Sequence, residues 1–253
     1  MRKMSFVTKL LGSVLLTALM VPSLTFASAQ IKAGQSINPK SNWDNTFSIA
    51  ARDPKTGALA AAVSTARYGV GNRVPFVEYN VGVVNTQANT NIMLAKDAFK
   101  LLRKGATAKE ALQQVLNKDP EKETRQLAIL DAKGGAAAFT GTKPDNYKNH
   151  IIGKDCIVAG NILVGPETLS SMLQTFESTS GTLGDRVMAA LEAAQKAGGD
   201  RRGKLSAAII VAYAPESPYS YVKNINLRVD NSTNPVGDLR IVYEEYKKAF
   251  KIK

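Results

Sequence analysis

The amino-acid sequence predicts a layered α+β domain in which antiparallel sheets are covered by pairs of helices. Strand-like and helix-like segments occur in alternating blocks, and the helices between the blocks of strands come in pairs. Several consecutive strand-like segments are joined by short turns rich in Gly, Pro or Asp, which is typical of antiparallel neighbours. Since the sequence contains no internal repeat and no long linker, we expect a single domain over residues 46–253.

The residues before this domain have the pattern of an export signal followed by a leader. Residues 1–29 combine basic residues, an apolar run from Leu10 to Val21 and an Ala-Ser-Ala site that ends at Ala29. The apolar run is shorter than the ~20 residues that a membrane-spanning helix needs. We therefore expect cleavage after Ala29, a periplasmic or secreted protein, and no stable membrane insertion after the signal is removed. Residues 30–45, rich in Asn, Ser and Pro, are predicted to form an irregular leader.

The domain is predicted to begin with a β-hairpin. Residues 46–52 and 58–64 have the composition of strands and flank the sequence DPKTG at 53–57. In that sequence Pro sets φ for a turn and Gly permits a positive φ. A loop with several glycines is expected at 65–75, and residues 76–86 are predicted to form a third strand that ends in polar residues.

Two helices are predicted next. Apolar residues between Ile92 and Leu102 recur at helical spacing, and Gly105 is suited to end that helix. Thr107 and Glu110 have the spacing of a capping box for the second helix. The next predicted elements are a hairpin of strands 124–131 and 136–140, a polar loop at 141–154, a strand at 156–163 and a helix from Pro166 to Phe176. Thr182 with Asp185 has the capping spacing to start another helix, which Gly198-Gly199 stops. Strands at 205–213 and 219–229 and a helix that begins at Pro235 complete the prediction.

The distribution of charge and the small numbers of cysteine and histidine residues argue against several classes of function. The formal net charge is +12, but no basic run is interleaved with aromatic residues, so nucleic-acid binding is disfavoured. Cys156 is the only cysteine and His150 the only histidine, so an internal disulfide and a usual zinc site are excluded. We expect no metal and no cofactor. The apolar neighbours of Cys156 favour a buried strand position over a nucleophile, and the polar surroundings of His150 do not favour a Ser-His-Asp triad.

Four segments are informative when they are taken together. They are TFSIAARDPKTG (46–57), GNILVGPE (160–167), AGGDRRGKLSAAIIV (197–211) and NLRVDNSTNPVGDLR (226–240). In this order they resemble the domain-of-unknown-function family 1028, over nearly the whole domain. That family is placed among the N-terminal-nucleophile hydrolases. The resemblance therefore implies a four-layer αββα sandwich of two antiparallel sheets flanked by helices.

The resemblance also implies that Thr46 is the nucleophile. A threonine hydroxyl needs a base, and the α-amine of the same residue, with a pKa of ~7.7–8.0, can be that base when the residue is N-terminal. The bond between Asn45 and Thr46 would then have to be cleaved, by the protein itself or by another protease. The local sequence alone favours the alternative that Thr46 is an ordinary strand residue, because Thr is common in strands.

Further polar residues are candidates for the other roles. The Asn161 amide could donate to an oxyanion, or Asn161 could be a turn residue. In the loop GGDRRG, Arg201 and Arg202 could pair with a substrate carboxylate and Asp200 could orient an amine. The alternative for this loop is a helix C-cap with a charged turn. Four polar residues at predicted strand ends are expected to line the same cleft: Arg67, Thr86, Gln87 and Asn89.

Two classes of function follow from these residues. The first is an exported amidohydrolase of the N-terminal-nucleophile type that acts on a small-molecule or peptide amide bond. The second is a non-catalytic protein whose cleft binds an anionic ligand or a cell-envelope polymer. The N-terminus of the mature protein discriminates between the two classes, and the sequence leaves homo-oligomerisation open.

Overall fold

Short strands and five helices make up the part of the chain that the computed structural model describes, residues 43–44, 46–144, 146–214 and 224–252. The predicted signal peptide, and all of the predicted leader except residues 43–44, lie outside these ranges. In chain order the elements are β1 (Trp43–Asp44), β2 (Thr46–Arg52), β3 (Leu59–Thr65), β4 (Pro75–Glu78), β5 (Gly82–Asn89), α1 (Ile92–Arg103), α2 (Ala108–Asn117), β6 (Arg125–Asp131), β7 (Ala136–Thr140), β8 (Tyr147–Gly153), β9 (Cys156–Leu163), α3 (Glu167–Ser178), α4 (Leu183–Lys196), β10 (Ser206–Ala212), β11 (Asn224–Val229) and α5 (Pro235–Ala249).

The strands form two antiparallel sheets. The larger sheet has the order β11-β10-β3-β2-β9-β8, so the hairpin β2–β3 lies at its centre. The smaller sheet has the order β5-β6-β7, and both β1 and β4 pair with β5 on its other side. The chain therefore passes from the smaller sheet to the larger one between Asp44 and Thr46.

Helices cover the outer face of each sheet. The helices α1 and α2 pack on β5 and β6, and Phe99 and Val115 are among their buried residues. The helices α3, α4 and α5 pack on the larger sheet, where Phe47 and Leu191 belong to one core. A third core joins the inner faces of the two sheets and includes Ala50. This arrangement confirms the predicted α+β sandwich. Among the described residues, no helix is both long enough and apolar enough to cross a membrane.

Two predicted segments differ in the structure. The predicted third strand, 76–86, is divided into β4 and β5 by a turn in which Asn80 has a φ of 58°. Asn tolerates the left-handed region, so it can reverse the chain within an otherwise strand-like run. The predicted polar loop at 141–154 contains β8, which lies at the edge of the larger sheet. No residue of this edge strand is fully buried, and its register shifts between Tyr147 and Asn149, so its sequence shows neither the apolar run of a buried strand nor a regular alternation.

The helix boundaries are close to the predicted ones. Both predicted capping boxes are present, at Thr107 with Glu110 and at Thr182 with Asp185. Pro166 is the residue before α3 and not its first residue. The leader is not irregular throughout, because Trp43 and Asp44 form the two-residue strand β1.

Asp185 links the start of α4 to α5. Its carboxylate accepts hydrogen bonds from Lys247 Nζ at 2.6 Å, from the Tyr243 hydroxyl at 3.1 Å and from the Thr182 hydroxyl at 2.7 Å. Burial acts to raise the pKa of Asp185, but the hydrogen bonds from Lys247 and Thr182 outweigh it and hold the pKa below its usual value. A carboxyl whose pKa is lower in the folded state stabilises the fold above its unfolded pKa, and this stabilisation is lost as the pH falls through the folded pKa.

We therefore expect Asp185→Asn to lower the free energy of unfolding by about 1–3 kcal/mol near neutral pH. The difference from the parent should shrink as the pH is lowered below about 4, because the parent then loses the same charge. Urea denaturation across this pH range measures both effects. Asp97→Asn is the matched control, since Asp97 forms only an exposed pair with Lys100 and should contribute at most about 1 kcal/mol. A deficit in Asp185→Asn that is the same at acidic and neutral pH would contradict the expectation.

Candidate functional site

The space between the two sheets is apolar at one end and polar at the other. The apolar end is formed by residues such as Ala50, Val83 and Ile157. Further along the same strands, the inward-facing positions carry uncharged polar side chains, each no more than 1% exposed. We call this set the polar layer: Thr46, Ser48, Thr65, Asn85, Gln87, Gln126 and Asn161. Buried polar groups need hydrogen-bond partners, so their placement together at one end of the sandwich needs an explanation.

Hydrogen bonds across the polar layer join the two sheets. The Ser48 hydroxyl donates to Gln87 Oε1 at 2.7 Å, and Gln87 Nε2 donates to Gln126 Oε1 at 2.6 Å. Asn161 Nδ2 donates to the same Gln126 oxygen at 3.0 Å. Two strands of the larger sheet, β2 and β9, are thereby connected to β5 and β6 of the smaller one.

Gln126 extends this network to the far edge of both sheets. Its Nε2 lies 2.8 Å from Thr140 Oγ1, 3.0 Å from the Asn149 carbonyl oxygen and 2.9 Å from that of Gly160. Thr140 Oγ1 in turn lies 2.9 Å from Nδ1 of His150. Burial lowers the pKa of His150, so the imidazole is neutral at neutral pH. Among the described residues, the histidine reaches the polar layer through Thr140 and Gln126, and it lies on β8, two strands away from the β2 strand that carries Thr46.

Thr46 lies at the very end of the polar layer. It is the first residue of β2, it is fully buried, and it is paired with Thr65 of β3. Two residues earlier, Asp44 is paired with Ala88 at the end of β5 in the other sheet. The chain just before Thr46 thus lies against the strand that carries Gln87, at the end of the layer where Thr46 is found.

Asn161 is held in the polar layer beside a strained position. The next residue, Ile162, has a φ of 51°, which is costly for a β-branched side chain. On the opposite sheet, Ala88 follows Gln87 and has a φ of 68°. Strained backbone of this kind persists only where the surroundings impose it, and it is enriched at functional sites. Among the described residues, Asn161 Nδ2 donates one hydrogen bond, to Gln126. An amide nitrogen carries two protons, so one N–H remains for a ligand.

The loop at 198–203 contains one buried carboxylate, that of Asp200. Its oxygens accept hydrogen bonds from the Ala66 backbone N–H at 2.9 Å, from the Arg202 backbone N–H at 2.9 Å and from Arg202 Nη2 at 2.8 Å. Asp200 also forms an isolated bridge with Leu163. These contacts favour the structural alternative for Asp200 and Arg202, because the carboxylate braces the loop. Arg201 is exposed and makes one long contact, 3.4 Å to Asn146 Oδ1, so it remains the candidate for an anionic group.

We expect Arg202→Ala to lower the free energy of unfolding by about 1–3 kcal/mol, because it leaves the buried Asp200 carboxylate without part of its hydrogen bonding. Arg201→Ala is the matched control and should change stability by no more than about 0.5 kcal/mol. Thermal or urea denaturation of the two variants measures the difference. Equal effects of the two substitutions would show that Asp200 does not depend on Arg202.

The other predicted site residues are divided by the alternation of the strands. Gln87 faces the polar layer, whereas Thr86 faces the opposite side of β5 and its hydroxyl lies 3.3 Å from the Asn91 carbonyl oxygen. Asn89 donates to Thr124 Oγ1 at 3.3 Å. The Arg67 carbonyl accepts a hydrogen bond from Ser206 Oγ at 2.6 Å. The structure therefore brings Thr46, Gln87 and Asn161 into one layer and places Thr86 outside it.

Sequence reasoning missed four members of the polar layer: Ser48, Thr65, Asn85 and Gln126. Ser48 and Asn85 lie two residues from Thr46 and Gln87, and this spacing places them on the same faces of their strands. Gln126 is a polar residue in an otherwise apolar strand, which is a weak signal for a buried hydrogen-bonding role. Cys156 is buried as predicted, and burial raises its thiol pKa to about 12, so the thiolate is scarce at neutral pH. Within the described ranges, no group of three or more His, Cys, Asp and Glu side chains is placed to hold a metal ion.

A family model described as "Family of unknown function (DUF1028)" matches residues 46–239, and the match begins at Thr46. The chain belongs to the DUF1028 family. A DUF1028 protein of known crystal structure, from Silicibacter pomeroyi, is 34% identical to this chain and superposes with a TM-score of 0.74. That alignment covers 80% of this chain and 86% of the other.

A more distant likeness is to Anbu, an ancestral β-subunit, from Yersinia bercovieri. It is 11% identical, with a TM-score of 0.34, and the alignment covers 80% of this chain and 95% of Anbu. This similarity is too low to carry a conclusion about the DUF1028 chain. No curated protein matches the chain.

Proposed function

We propose that this DUF1028 protein is an exported amide-bond hydrolase of the N-terminal-nucleophile type, with Thr46 as the nucleophile and a small-molecule or peptide substrate. The observation that carries the proposal is the place of Thr46. It is the first residue of a central strand, it is buried at the end of a layer of neutral hydrogen-bonding groups, and the family match begins there. The neutral His150 contacts Thr140 and is not positioned to take a proton from Thr46. The base is therefore the α-amine that Thr46 would have as a first residue.

The proposed reaction follows from the groups in the polar layer. Thr46 Oγ attacks the substrate carbonyl carbon while the α-amine of Thr46 takes the hydroxyl proton. The oxyanion that forms accepts a hydrogen bond from the Asn161 amide, whose second N–H is not used by Gln126. The C–N bond then breaks, and the ammonium of Thr46 gives its proton to the leaving amine. Water hydrolyses the ester that remains on Thr46 and releases the carboxylic acid.

Cleavage before Thr46 would also open the site. In the described form, β1 is paired with the end of β5 and Thr46 is fully buried. Two residue pairs are few for a strand to hold its place once it is no longer covalently joined to β2. Loss of β1 would free the end of β5 beside Gln87 and expose the amine of Thr46.

The mass of the intact mature protein tests this proposal. A product that begins at Thr46, together with a substrate-derived acyl group on that residue after brief reaction, is the expected result. The exported protein should be obtained from outside the cytoplasm. An active protein that still begins at Gln30 would overturn the proposal. An inactive one would favour the alternative of a cleft that binds an anionic ligand or an envelope polymer.

A further inference from the structure

Within the described ranges, Asn85 is the member of the polar layer whose side-chain amide has no hydrogen-bond partner. It lies on β5, paired with Ala128 of β6 and Pro75 of β4, and it is 1% exposed. Neither its Nδ2 nor its Oδ1 makes a hydrogen bond in the described part of the chain. It faces the space between the sheets, two residues before Gln87 and two after Val83, which belongs to the apolar core. Asn85 therefore lies where the polar layer meets that core.

An unsatisfied buried amide is costly. Each buried donor or acceptor without a partner lowers stability by about 1–3 kcal/mol, and most buried polar atoms in folded proteins are paired. The neighbouring amides of Gln87 and Gln126 show that this layer can satisfy such groups, because Gln87 accepts from Ser48 and Gln126 donates to Gly160 across the sheets. Asn85 thus presents a donor and an acceptor that the fold itself does not use.

The side chains of the polar layer carry no charge that they could offer a ligand at Asn85. The hydrogen bonds of Ser48, Gln87, Gln126 and Asn161 in the described part of the chain all join uncharged groups. The buried charged residues are engaged elsewhere: Arg125 with Asp119, Asp131 with backbone N–H groups of Ala108 and Gly135, and Asp200 with Arg202. A carboxylate that reached the inner end of this layer, at Asn85, would lose its hydration without gaining a counter-charge from these side chains, which is far more costly than the entry of a neutral amide.

We propose that Asn85 recognises an uncharged carboxamide of the substrate at the inner end of the site, so that the enzyme prefers amide-bearing substrates over the corresponding acids. Asn85 Nδ2 donates to the ligand carbonyl, and Oδ1 accepts from the ligand N–H, which satisfies both atoms at once. This inference rests on the proposed function for the identity of the reaction, but the binding step can be measured without any hydrolysis. Asn85 is a specificity residue in this account, separate from the groups that act on the scissile bond.

The test compares propionamide with propionate as probes of the exported, mature protein, with binding followed by ligand-observed NMR. The parent is expected to bind propionamide at least about tenfold more tightly than propionate, which corresponds to the net value of one or two hydrogen bonds. Asn85→Leu has a similar volume and should weaken propionamide binding at least about tenfold. Asn117→Leu, an exposed substitution at the end of α2, is the matched control and should bind as the parent does.

Stability separates recognition from folding. Because Asn85→Leu replaces an unsatisfied amide by an apolar group, its thermal midpoint should equal or exceed that of the parent. Unchanged propionamide binding in a folded Asn85→Leu, or equal binding of the two probes by the parent, would overturn the inference. Propionamide binding that depends on Asn85 in a protein without hydrolase activity would keep this inference and reject the proposed function. Hydrolysis of substrate that is unchanged by Asn85→Leu would reject this inference and keep the proposed function.

Discussion

Thr46→Ala is expected to abolish amide hydrolysis and any self-cleavage of the Asn45–Thr46 bond, with a fall in kcat/KM on the order of 10⁴-fold or more. The substitution removes the attacking oxygen but leaves a residue that a strand accepts. Stability should fall by only about 1–2 kcal/mol, the range expected for the loss of a buried hydroxyl. The release of amine from substrate gives the rate, intact mass gives the N-terminus, and urea denaturation gives the stability.

Two further variants sharpen this result. Thr46→Ser retains a hydroxyl and should keep part of the hydrolysis and part of the cleavage. Thr168→Ala also removes a buried threonine hydroxyl, but from α3, outside the polar layer, and should leave both unchanged. If Thr46→Ala hydrolyses substrate as fast as Thr168→Ala does, Thr46 is not the nucleophile.

Gln126→Ala is expected to be the most destabilising single substitution in the polar layer. The side-chain amide of Gln126 forms hydrogen bonds with side chains on β5, β7 and β9 and with the backbone of β8. Truncation leaves the amides of Gln87 and Asn161 without their shared acceptor and opens a cavity between the sheets. The expected loss is on the order of 3–5 kcal/mol, since several buried groups lose partners together.

Urea denaturation measures that loss directly. Gln114→Ala, in the exposed part of α2, is the matched control and should change stability by no more than about 0.5 kcal/mol. A loss of less than about 1 kcal/mol in Gln126→Ala would mean that water replaces the amide, and that the network does not hold the sheets together.

The sequence was sufficient to predict the elements that local physical chemistry determines. The hairpin β2–β3 followed from strand composition around the sequence DPKTG, and the starts of α2 and α4 followed from their capping boxes. Local patterns could not reveal the turn at Asn80, because the residues on both sides of it have the composition of one continuous strand. The edge strand β8 was missed because none of its residues is fully buried and its register shifts between Tyr147 and Asn149, so its residues do not alternate regularly in polarity.

The candidate site was predictable in part. Thr46 came from a family resemblance, Asn161 from the need of a nucleophile for an oxyanion donor, and Gln87 from its place near a predicted strand end. Strand alternation places Thr86 and Gln87 on opposite faces of β5, but only the packing of the two sheets shows that Gln87 is the one that faces the polar layer. The bracing role of Asp200 depends on the backbone N–H of Ala66, a residue far away in the sequence, so only the folded chain reveals it.

Under the proposed cleavage before Thr46, the short strand β1 would have a consequence for regulation. While it is covalently joined to β2, its effective concentration at the end of β5 is of the order of millimolar or more, which is enough to keep two residue pairs in place. After cleavage the released peptide would be diluted to its concentration in the surroundings, and two pairs would not hold it there. Rebinding would be negligible by mass action, so such an opening would be one-way. Each molecule would then be switched on once, and its later activity would be limited only by its lifetime.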